Sequence, residues 1–150
     1  RRLLHKDEAA MFSVIDYLDI LTLASESSLG PILRLQAPMK WQPNEIDGMY
    51  FAENQNRLTF LPVEAKALST EDEINIDQLS GGFRTVKFQA IKANATEVVH
   101  IKSVAALMIE NGIRFAFFPD DVEPTVTTKF EFIEVTFNPP LEAWSNITRS

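Results

Sequence analysis

The 150-residue chain contains no cysteine. That excludes a disulfide framework, a thiolate zinc site and a thiol nucleophile. Its two histidines, His5 and His100, share no metal-ligand spacing, and a serine-histidine-aspartate hydrolase has little support. No apolar run reaches the length of a membrane span, and the first residues, Arg1-Arg2-Leu3-Leu4-His5, lack a signal-peptide core. The expectation is a cytoplasmic protein with no membrane partner. Without a secretory signal, the sequons Asn94-Ala95-Thr96 and Asn146-Ile147-Thr148 read as chance matches. Positive charge is also scarce: 14 Lys and Arg stand against 21 Asp and Glu, a net charge of −7. A phosphate-binding surface on such a chain has to be confined to one groove. Repeats and low-complexity tracts are absent, and so is an initiator methionine. The chain therefore reads as a single domain, residues 1–150, cut from a longer protein.

What is present is a core. The chain is 45% hydrophobic with eleven phenylalanines, enough for one domain to bury a large share of its surface. Apolar residues Met11, Val14, Ile15, Leu18, Leu21 and Leu23 predict a first helix over 7–24. A break at Gly30-Pro31 follows, then a strand over 32–37. Residues 45–53 and 59–63 read as strands joined at Asn54-Gln55-Asn56, a hairpin. Thr70-Glu71-Asp72-Glu73 has the form of a capping box, opening a helix on which Ile76, Leu79, Phe83, Val86 and Ala90 keep helical spacing. Gly81-Gly82 weakens that helix by about 1 kcal/mol per glycine, so the alternative is a stop near Ser80 with residues 86–90 extended; the continuous helix is preferred. Residues 98–109 read largely as strand and turn at Asn111-Gly112 into 113–118. A last alternating strand over 126–137 belongs at an exposed face or edge.

Chemistry concentrates at the end of the second hairpin strand. Strand residues alternate faces, so in Glu64-Ala65-Lys66 the carboxylate and the ammonium point the same way. The hairpin brings Asp47 towards Glu64. Two converging carboxylates repel unless a cation lies between them, and a hard divalent ion such as Mg²⁺ takes oxygen ligands of this kind. Lys66 is then placed to position a water or to offset charge on a phosphate. Gln78, on the following helix, can orient Lys66 or the metal shell. Asp16, Asp19 and Glu26 could add a further carboxylate, although a solvated face is the plainer reading. Lys40 and Trp41, before the Asp47 strand, could contact a phosphate and stack on a base. Arg84, Lys87 and Lys92 are candidate phosphate contacts on the later helix.

In these residues, over roughly 11–118, the sequence resembles the PD-(D/E)xK nuclease superfamily, the restriction-endonuclease-like fold. The resemblance lies in an Asp at the start of one hairpin strand, Glu-x-Lys at the end of the next, and a following acid-capped helix carrying a Gln. Ile46-Asp47 stands where the family has Pro-Asp. The resemblance implies an αβββαβ core, a mixed central sheet flanked by helices, here with extra C-terminal strands. It implies a Mg²⁺-dependent DNA endonuclease of restriction type, with Mn²⁺ able to substitute, and catalytic roles for Asp47, Glu64, Lys66 and Gln78. Asp47, Glu64 and the Ala65 carbonyl are the implied metal ligands. DNA is the implied partner, with a homodimer or an additional recognition domain to span the duplex. The alternative is a non-catalytic module on the same scaffold that binds nucleic acid or protein.

Overall fold

The computed structural model describes residues 12, 14–16, 19–25, 29–35, 46–66 and 74–137. The predicted sites Glu26, Lys40 and Trp41, the Thr70-Glu71-Asp72-Glu73 box and the tail with Trp144 lie outside the described residues. The fold is mixed α/β: a mostly antiparallel sheet flanked by few helices. Its elements run α1 (Ile20–Ala24), β1 (Ile32–Arg34), β2 (Gly48–Asn54), β3 (Arg57–Lys66), α2 (Ile76–Lys92), β4 (Val99–Ile101), β5 (Val104–Ile109), β6 (Gly112–Phe117) and β7 (Glu131–Thr136).

The strands form a 7-stranded sheet in the order β1-β2-β3-β5-β6-β7, with β4 also pairing β3. The β2–β3 hairpin forms where the turn residues allow it. Asn54 pairs with Arg57, and Gln55 and Asn56 between them have φ of 51° and 67°, the left-handed pair that suits a two-residue turn. β5 and β6 close similarly, with Ile109 opposite Gly112 and Asn111 at φ 61°. Between β3 and β5 the chain crosses over through α2, so these two strands run parallel.

Each face of the sheet buries its own cluster. On one side Tyr50, Leu61, Val63, Ala65, Ala106, Ile113 and Phe115 pack with Phe12, Ile15 and α1. On the other α2 lies down: Phe83 and Val86 meet Met49 and Ile101, while Leu79 meets Ala105, Ala116 and Phe118.

Several predicted boundaries move. The first helix is interrupted at Asp19, which adopts φ 52°; Thr22 Oγ1 donates to its carboxylate at 2.8 Å and accepts from Ile32 N at 2.9 Å, tying the turn to β1. α2 runs unbroken through Gly81-Gly82, with Asn75 as its cap, so the extended alternative for residues 86–90 is excluded. The predicted strand over 98–109 is two strands. At the break Lys102 N donates to Phe60 O at 2.8 Å, and Ser103 O accepts from Phe118 N at 3.0 Å. The final strand is confined to Glu131–Thr136, at the edge of the sheet and largely exposed, as its alternation predicts.

Candidate functional site

β3 is flanked on both sides, by β2 and by β4 and β5, so its side chains alternate between two covered faces. Ala65 falls in the α1-side cluster. Glu64 and Lys66 face the other way and line one cleft of about 170 Å³ with Ile74, Asn75, Gln78, Leu79, Ala105 and Leu107. The register explains the lining, since Glu64 lies beside Ala105 and Lys66 beside Leu107. Glu64 is only 8% exposed, an unusual position for a carboxylate.

Asp47 reaches the same end of the sheet by another route. It sits in the bend immediately before β2 rather than within a strand. The last ladder pair is Gly48 with Val63; one step beyond it the Asp47 carboxylate takes over, Oδ2 accepting the Ala65 N–H at 3.0 Å. This charge-assisted bond holds the carboxylate one residue from Glu64. Gly48 is required for a different reason. A Cβ there would stand 2.5 Å from the Phe12 ring, so glycine lets the α1-side core press against the strand beside Asp47.

Gln78 lies in the first turn of α2, because the helix starts at Ile76 rather than at the predicted capping box upstream. Asn75, which sequence reasoning passed over, caps that turn and also borders the cleft. Its signal was an asparagine three residues before Gln78, a cap spacing masked by the stronger capping-box pattern upstream.

The remaining predicted residues are placed elsewhere. Asp16 accepts a hydrogen bond from Tyr50 Oη at 2.5 Å and pairs with Arg34 at 2.9 Å, on the α1 side of the sheet. Burial, then the hydrogen bond to that carboxylate and its charge, push the Tyr50 phenol far above its ordinary value despite Arg34. Asp19 is engaged by Thr22. Arg84 is exposed but paired with Glu123 at 3.2 Å, and Ser80 joins them by donating to Glu123 at 2.7 Å. Lys87 and Lys92 are exposed on α2. At 1.5 Å per residue they lie about 14 and 21 Å along the axis from Gln78.

Chemically, one cleft at the end of β3 gathers a carboxylate, a lysine and two carboxamides, and the Asp47 carboxylate is bonded to the Ala65 N–H beside it. Among the described residues, no group of three or more His, Cys, Asp or Glu side chains forms. Compared with known proteins, the chain matches no family model, no curated protein and no solved structure.

Proposed function

We propose that the chain is the catalytic domain of a Mg²⁺-dependent DNA endonuclease of restriction type, built on a PD-(D/E)xK core. One observation carries the reading: the Asp47 carboxylate is held on the Ala65 N–H at 3.0 Å while Glu64 and Lys66 line the adjoining cleft with Gln78. The order of α1, three strands, α2 and a strand parallel to β3 supports it. So does energetics. A buried carboxylate with a neighbouring cation gains little net stability, because desolvation opposes the Coulomb attraction. Glu64 is easier to understand as a working group.

Asp47, Glu64 and the Ala65 carbonyl make a set of hard oxygen donors, the kind that suits Mg²⁺ or Mn²⁺. Such an ion, when bound, supplies Lewis acidity at the scissile phosphate and makes water a better nucleophile. In this reading Asp47 and Glu64 hold the ion. Lys66 orients the attacking water and offsets charge developing on the phosphate, and Gln78 orients Lys66. DNA is the substrate, reached by a homodimer or with an additional recognition domain.

Chelation is expected to abolish cleavage of duplex DNA, Mg²⁺ or Mn²⁺ to restore it, and Ca²⁺ to support binding only. Lys66→Ala should bind DNA in Ca²⁺ yet lose cleavage by about 10²-fold or more, the scale for losing one group that stabilises developing charge. Full activity in that variant overturns the assignment. One observation favours the alternative, a non-catalytic module: Glu123 partly neutralises α2 by pairing with Arg84 in a chain already at −7. That module would bind its partner equally well after Asp47→Asn and cut nothing with any metal.

A further inference from the structure

The proposed site leaves one polar residue of its cleft without a role. Asn75 lines the cleft with Glu64, Lys66 and Gln78, and its Oδ1 accepts the Gln78 backbone N–H at 3.2 Å. That bond settles which end of the carboxamide is which, because only the oxygen can accept. The Nδ2 amino group, on the other side of the planar carboxamide, is not used by the cap. Asn75 itself is exposed where it borders the cleft, and its amino group carries two donors. A cap alone needs only an acceptor, and serine, threonine or aspartate would serve comparably. Asparagine adds two donors held in the plane of the same carboxamide.

The cleft sets what those donors meet. At about 170 Å³ it is smaller than the roughly 300–1,000 Å³ of pockets that enclose small molecules. Leu79, Ala105 and Leu107 give it an apolar part, and Glu64 and Lys66 line it beside them. Such a space suits a phosphate group of a chain passing over it better than an inserted base. We infer that Asn75 is a substrate-binding residue. Its Nδ2 donates to a non-bridging oxygen of the DNA backbone beside Lys66, while its Oδ1 holds the first turn of α2. The inference rests on the nuclease reading and adds a contact to it.

The test compares the full chain with Asn75→Ser and Asn75→Asp, using long duplex DNA of mixed sequence, with Mg²⁺ for cleavage and Ca²⁺ for binding. Both replacements keep a cap, so melting temperatures should stay close to that of the unaltered chain. Asn75→Ser is expected to raise KM and the Kd in Ca²⁺ by about tenfold, the effect of losing one hydrogen bond to a charged group, with kcat far less changed. Asn75→Asp, which replaces the donor by a negative charge, should raise both further. An Asn75→Ser protein with unaltered KM and Kd overturns the inference and leaves Asn75 a helix cap. Should that variant not fold, Asn75→Thr carries the same comparison. If the unaltered chain neither binds nor cuts DNA with any divalent ion, the nuclease reading itself fails and takes this contact with it.

Discussion

Asp121 shows how a single side chain fastens a loop. Its Oδ1 accepts the Ile101 N–H at 2.9 Å and its Oδ2 meets His100 Nδ1 at 2.8 Å, while its own N–H donates to Ile101 O at 2.7 Å. Burial alone would raise this carboxyl; the hydrogen bonds from His100 and Ile101, with the nearby charge of Arg57, bring it below the ordinary value. A depressed folded value means stability that is complete above the unfolded value of about 3.9 and is lost as pH falls below it. Asp121→Asn is therefore expected to melt lower than the unaltered chain at neutral pH, with the gap narrowing in acid. Thermal melts of both proteins at about pH 7 and pH 3 check this, and a gap independent of pH would assign the effect to packing instead. At this scale alternation was enough to place Glu64 and Lys66 together, because period two is a local property of the strand. The partners of Asp16, Asp121 and Gly48 were not legible, since each lies across the fold: Tyr50, His100 and the Phe12 ring.

The element that organises the candidate site is α2, and its glycines show what such an element tolerates. A Cβ at Gly82 would meet Pro62 Cβ at 3.5 Å, Ile46 at 3.8 Å and Glu64 Oε1 at 3.9 Å, all ordinary contacts. Gly82→Ala should thus remove most of a helix-propensity cost of about 1 kcal/mol and raise the melting temperature by about 2–4 °C. A lower melting temperature would show that the helix must approach β3 more closely than these distances allow. The period of Ile76, Leu79, Phe83, Val86 and Ala90 revealed the helix despite those glycines, because burial of one face outweighs two weak positions. The break between β4 and β5 could not be read in the same way. It is made by Phe60 and Phe118, whose main chains bond Lys102 and Ser103, and nothing in the local run of apolar residues records those neighbours.

For the whole molecule, on the proposed nuclease reading, charge is the quantity that DNA binding has to overcome. At −7 the chain repels DNA at long range, so attraction depends on a small basic surface and should be steeply salt-dependent. Log affinity is expected to fall by roughly 0.9 for each phosphate contact per decade of salt. Neutralising Arg84 and Lys87 together should flatten that slope, measured as Kd against salt in Ca²⁺. Because Arg84 is paired with Glu123, Glu123→Gln should do the reverse and tighten binding. An unchanged slope removes this helix face from the interface. The mixed α/β succession of helices and strands was legible from periodicity and turn residues, whereas the pairing of charges on the surface was not, since it depends on which charges the fold sets beside each other.

The sheet is two antiparallel meanders, β1-β2-β3 and β5-β6-β7, and the link between them is parallel: β5, with β4 continuing it, lies along β3. Each meander draws on neighbouring stretches of chain and can assemble early. The seam between them waits for the crossover through α2, the kind of non-local pairing that folds slowly. Glu64 and Lys66 form one lip of that seam, Ala105 and Leu107 the other, and α2 brings Asn75 and Gln78 only as it closes. A chain in which only the two meanders had formed would have its acids but no cleft. On the proposed reading, a newly made molecule is harmless to DNA until its last seam has shut.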